Sequence, residues 1–159
     1  MSSRKFTMIS PALFKSQRYL SASSQGRELF FYCLAGPHQT MIGCFRAPDL
    51  YIAADLGWKP VAVREELDAL VKLGLIAADQ ATQEIMVERW FQHSQITTGK
   101  HKEGVRRLIA EVESDDLRLR LEEAFENFEA ERATAKSSTP TESDSRLTTT
   151  RYMAGAQRS

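Results

Sequence analysis

The side chains best placed to do chemistry in this sequence are cations. Lys100, His101, Lys102, Arg106 and Arg107 fall close together, and a four-residue spacing puts Lys102 and Arg106 on one face of a helix. Such a face holds phosphate oxygens through charge and multiple N–H donors. Arg4, Lys5, Lys15 and Arg18 extend the basic set near the N-terminus. The same spacing also describes the ordinary solvated start of a helix. A second group, Lys59, Ala62, Arg64 and Glu65, stands on a segment suited to read base edges, but Glu66 and Asp68 bring negative charge to it. Glutamate can accept from cytosine N4; a solvated or protein-binding face explains the same residues.

Catalytic chemistry finds little support. His38, His93 and His101 are scattered, there is no Gly-rich phosphate loop, no serine sits in a nucleophile elbow, and no carboxylates have metal-ligand spacing. Cys33 and Cys44 form no CxxC pair and sit among apolar neighbours, as buried, reduced core residues do. The expectation is a binding protein that is not an enzyme and takes no cofactor or metal.

The elements that must position these groups are readable from apolar periodicity. Ser10-Pro11 offers a cap and a first helical position. Ser23 to Gly26 leads into a helix over 27–35, with Leu29, Phe30, Cys33 and Leu34 on one stripe and Gly36-Pro37 ending it. Gly43-Cys44-Phe45 is a brief extended stretch. Pro48-Asp49 opens a short helix with Leu50, Ile52, Ala53 and Leu56 as its apolar positions, closed by Gly57. Pro60 starts the next, where Val63, Leu67, Leu70, Val71 and Leu73 recur at three- and four-residue intervals up to Gly74. Two helices joined by so short a glycine-containing turn are a helix-turn-helix. Leu75 to Ala78 and Ile85 to Trp90 then read as strands around the polar stretch Asp79 to Glu84, a hairpin in the position of a wing.

Further on, Val105, Leu108, Ile109 and Val112 predict another helix after a basic linker. Asp115-Asp116 caps a last one whose stripe is Leu117, Leu121, Phe125 and Phe128, interleaved with glutamates. That stripe suits core or dimer packing, and as an alternative a partner site. Phe30, Phe31, Tyr32, Trp58, Trp90 and Phe91 read as core and near-core aromatics. From Ala133 on, the Ser/Thr/Ala-rich sequence holds too few large apolar residues to offset ordering entropy, which predicts a disordered tail.

The fold class expected is mainly α with a small β-hairpin: a winged helix-turn-helix over 1–94, a basic linker and C-terminal helices over 95–132, and a tail over 133–159. The 159 residues are formally neutral, 42% hydrophobic and 26% charged, ordinary for a soluble globular chain. Charge is unevenly spread. Residues 1–110 carry 14 Lys and Arg against 10 Asp and Glu, and residues 111–133 carry three against nine. The N-terminus lacks the apolar core of a signal peptide and no run approaches the length of a bilayer span, so a cytoplasmic location away from membranes is expected.

Taken together, Gly43-Cys44-Phe45, Leu56-Gly57-Trp58, Val63, Leu67-Asp68-Ala69-Leu70, Leu73-Gly74-Leu75-Ile76, Asp79 and the segment Val87 to His93 resemble the winged-helix domain of phage replication initiators and replisome organisers, which are similar to helicase loaders. The resemblance runs from about Arg4 to Ser94. It implies binding of double-stranded origin or template DNA by the winged domain, and recruitment of host or phage replication proteins by the part C-terminal to that domain. Here that part is only a short acidic segment. A homodimer would double the DNA contacts. Two other readings share the fold: an adaptor or inhibitor, such as a counter-defence factor, that uses an acidic winged-helix surface, and a transcriptional regulator.

Overall fold

The computed structural model describes residues 6–137. A 3-10 turn at Pro11–Lys15 is capped by the Ser10 hydroxyl and leads into a single helical turn, α1 (Gln17–Leu20). Ser23 then accepts from the Gly26 amide at 2.8 Å and starts α2 (Ser24–Ala35), a side-chain cap on one of the donors a helix start leaves open. Leu29, Phe30 and Cys33 are buried on its inner stripe. The chain returns as strand β1 (Cys44–Arg46) and enters α3 (Asp49–Leu56). Gly57 ends α3 at φ 69°, a left-handed position where a Cβ would be strained.

Helix α4 (Pro60–Lys72) begins on a proline, whose missing N–H costs nothing there, and buries Val63, Leu67 and Leu70. Strands β2 (Ile76–Asp79) and β3 (Glu84–Val87) come next, and all three strands pair antiparallel in the order β1-β3-β2. The register sets Cys44 and Ala77 beside Met86, and Asp79 beside Glu84. Helix, strand, helix-turn-helix and hairpin in this order, with the first strand laid beside the last, is a winged helix-turn-helix. The extended stretch expected at 43–45 corresponds to β1 (Cys44–Arg46), the third strand of the sheet.

Two helices complete the described residues. The basic stretch at 99–102 is no linker: Thr98 caps α5 (Gly99–Ala110), so these cations occupy its first turn. Helix α6 (Asp115–Ser137) is capped by the Ser114 hydroxyl, which accepts from the Leu117 amide, with Asp115 and Asp116 in the first turn. It runs past the predicted boundary at 132, so residues 133–137 are helical where a disordered tail was expected; the rest of that tail lies outside the described residues.

The apolar interior has two parts. One gathers Tyr19, Leu29, Phe30, Cys33, Phe45, Ile52, Val63, Leu67, Leu70, Ile76, Ile85 and Val87 under α2, α3 and α4. The other gathers Ile42, Cys44, Ala77, Met86, Phe91, Ile96, Val105, Ile109, Leu117, Leu121 and Phe125 under α5 and α6. Successive strand residues point to opposite faces, so the sheet is the wall between the two. A carboxylate clamp joins them: Glu84 on β3, itself buried, accepts from the amides of Glu113 and Ser114 at 3.0 and 2.8 Å, and the Ser114 hydroxyl donates to Asp79 at 2.7 Å. Both cysteines are free and buried, and burial pushes both thiols up to about 12, which leaves them unreactive.

Candidate functional site

In a winged helix the outward face of α4 is the one that enters a partner's groove. Its inner side chains are fixed by the hydrophobic stripe, which leaves Val61, Glu65, Asp68, Val71 and Lys72 exposed. The residues expected to contact DNA divide sharply. Lys59, at the cap position, is exposed, and it has no charged partner among the described residues. Ala62 is half-buried and has no hydrogen-bonding side chain. Arg64 is turned back: its Nε and Nη2 both donate to Asp49 Oδ2, at 2.9 and 2.5 Å. This half-buried pair locks α3 to α4 and takes the arginine off the reading face. Glu65 stays exposed, while Glu66 accepts from the Ser23 hydroxyl at 2.9 Å and ties α4 to the start of α2.

Around this face stand apolar side chains that sequence periodicity did not separate from core. Leu50, read as one of the apolar positions of its helix, is 67% exposed; Tyr51 is 58% and Val61 68% exposed. Ile52 and Ala53 are the residues α3 buries. Behind Tyr51 the His38 ring stacks at 6.0 Å, with its Nε2 3.6 Å from Asp55 Oδ2, which also accepts from the Tyr32 hydroxyl at 2.7 Å. Burial first, and Asp55 second, hold the Tyr32 phenol well above its usual range. The wing tip, Gln80 to Gln83, carries no charge, and Arg46 beside it is paired with Glu113 at 3.0 Å. From Asp49 to Lys72 there are three Lys and Arg against five Asp and Glu. The face is apolar and acidic.

The second basic cluster is also partly occupied. Glu129 on α6 receives Lys102 Nζ at 3.0 Å and Arg106 Nη2 at 2.6 Å, and the Lys102 bond, with the two positive charges, lowers the Glu129 carboxyl. Lys100 and Arg107 are exposed and lack a charged partner among the described residues. Arg18 donates to the Gly74 carbonyl at 2.9 Å, Lys15 is exposed, and Arg4 and Lys5 lie outside the described residues.

The stripe on α6 is core. Leu117 and Leu121 are 1% exposed and Phe125 3%. Phe91 packs its ring 5.3 Å from Phe125 and 6.1 Å from half-buried Phe128. Leu117, Leu121 and Phe125 therefore offer no surface to a partner or a second copy; they cover the sheet. Among the described residues no group of His, Cys, Asp and Glu is arranged to hold a metal, and no helix is long and apolar enough to cross a membrane.

The element order and the sheet topology are those of a winged helix-turn-helix. Comparison with family models, with curated proteins and with solved structures finds no match.

Proposed function

We propose that this chain is a non-enzymatic winged-helix adaptor whose helix-turn-helix face binds a protein. The observation that carries this reading is the outward face of α4 and its surroundings: exposed Leu50, Tyr51 and Val61 beside exposed Glu65 and Asp68, with Arg64 held on Asp49. A polyanion brought against the exposed carboxylates of Glu65 and Asp68 meets like-charge repulsion, reduced by solvent and salt. A protein surface with apolar side chains and basic groups meets burial and complementary charge instead. The setting we propose, recruitment in phage DNA replication, rests on the sequence resemblance; inhibition of a host protein would use the same face.

A second reading, association with double-stranded DNA through α5, is favoured by Lys100 and Arg107, which stand exposed and unpaired. Two phosphate contacts of this kind give weak binding with a salt slope of about 2.

Fluorescence anisotropy of the full-length chain on duplex DNA, across a salt series, tests the adaptor reading. The wild type is expected to bind weakly, with no change in Val61→Ala, and the charge reversal Glu65→Lys with Asp68→Lys is expected to raise affinity at least tenfold. Tight binding by the wild type that Lys59→Ala or Val61→Asp abolishes would establish a base-reading face and sink the proposal.

A further inference from the structure

A groove of about 790 Å3 lies between the N-terminal segment from Phe6 and the 87–96 segment after β3. Its volume is that of a small-molecule site. We propose that this groove binds a nucleotide unit, a phosphate with a planar base. This site is separate from the helix-turn-helix face, and neither stands or falls with the other.

The lining is rich in nitrogen donors. Arg18, Arg89, His93 and His101 line the groove, and the one carboxylate in its lining, Glu88, already accepts from Arg120 Nη2 at 2.5 Å. Arg18 gives Nη1 to the Gly74 carbonyl, which orients the guanidinium and leaves other N–H donors on it. Arg89 is exposed and has no charged partner among the described residues. An anion therefore finds donors here, and the carboxylate in the lining is already paired.

The 89–90 corner of the groove is also preorganised. Arg89 has φ 58° and ψ 24°, a left-handed conformation that a residue with a Cβ rarely adopts and that clusters at functional sites. Next to it Trp90 is fixed twice: its Nε1 donates to the Met41 carbonyl at 2.8 Å, and its ring lies against Gly43 so closely that a Cβ there would fall 2.2 Å from it. Trp90 and Phe6, which is 79% exposed, both line the groove. Aromatic faces beside arginines and amides are what stack and hold nucleotides without reading sequence. An acidic peptide would use the cations but leave the aromatic walls without a role.

The test uses the full-length chain, a short fluorescein-labelled oligothymidylate at low salt, and thymidine monophosphate as competitor. Arg89→Gly keeps the left-handed backbone, since glycine adopts positive φ freely, so its melting temperature is expected to hold or rise. Its affinity for the strand is expected to fall about tenfold, with a salt slope lower by about 0.7. Phe6→Ala is expected to cost about tenfold through lost stacking, whereas Leu119→Ala, exposed on α6 and outside the groove lining, leaves strand affinity unchanged. Displacement by thymidine monophosphate would show that a free nucleotide suffices; strand binding that it cannot displace would assign the site to nucleic acid. Absence of binding to both ligands at low salt overturns the proposal. So does affinity unchanged in both Arg89→Gly and Phe6→Ala, or displacement by polyglutamate as effective as by nucleotides.

Discussion

The two faces of the small sheet are built from alternate residues of the same strands and end in different surroundings. Phe45, Ile76, Ile85 and Val87 turn to the winged-helix core; Cys44, Ala77 and Met86 turn to the layer of α5 and α6. In a sheet that is wet on one side, every second residue is polar. Here β3 is buried along its whole length, Glu84 to Val87. The polar residue in that run is Glu84, and it faces two backbone amides at the start of α6, where a negative charge also meets the positive end of the helix dipole. Helices α5 and α6 are therefore the second wall of the domain, even though the helix-turn-helix in the first wall is what gives the fold its class.

Cutting the chain after Ser94 is the strongest way to break that equivalence. It would uncover Ile42, Met86 and Phe91, all nearly fully buried, at about 1.5–3 kcal/mol for each large apolar side chain against a total stability of about 5–15 kcal/mol. The truncated chain is expected to lose its cooperative thermal transition by circular dichroism. A sharp melt close to that of the full chain would mean that the winged helix stands alone and the second layer is an appendage.

This dependence is half legible in the sequence. The helix-turn-helix is plain because local chemistry marks it: Gly57 takes the left-handed turn, Pro60 starts α4, and Val63, Leu67 and Leu70 repeat with the helical period. The stripe of Leu117, Leu121 and Phe125 is visible too, but periodicity states that a face is buried and not what covers it. A signal for the second wall does exist in Ile85-Met86-Val87, three consecutive apolar residues where a half-exposed strand would alternate. Cation engagement is out of reach. Arg64 meets Asp49 across the helix-turn-helix and Lys102 and Arg106 meet Glu129 across two helices, and such partners arise from tertiary packing with no local signature. The groove behind the wing stays hidden for the same reason, since Arg18, Arg89 and His101 come from three separate parts of the chain.

A substitution at the clamp separates the two walls with a smaller effect. Glu84→Gln keeps the shape but replaces one acceptor oxygen with a donor, which turns an N–H toward the amide of Glu113 or of Ser114. Leaving a buried donor without an acceptor costs about 1–3 kcal/mol, or about 2–4 °C in melting temperature for each kcal/mol in a chain of this size. Hydrogen exchange is expected to speed up at the Glu113 and Ser114 amides. Leu67→Ala, in the other wall, is expected to destabilise the whole domain by about 2–5 kcal/mol without that local signature. If both variants gave the same exchange pattern, the clamp would have no identity separate from the core.

The smallest effect belongs to Asp79, the outer member of the same clamp. The Ser114 hydroxyl first, and the Ala81 amide second, hold its carboxyl below the ordinary aspartate value of 3.8. A depressed folded value means that, as pH falls, the unfolded chain takes up the proton first. The carboxylate therefore adds stability above 3.8, and that contribution disappears as pH drops through the lower folded value. Asp79→Asn is expected to lower the urea midpoint slightly at neutral pH and to close the gap to wild type at a pH below the folded value. The reason is that Asn cannot bind a proton, whereas the wild type has lost its charge there. A gap of equal size at neutral and acid pH would mean that the Ser114 bond holds α6 to the wing through geometry alone, with the charge on Asp79 contributing nothing to the joint between the two walls.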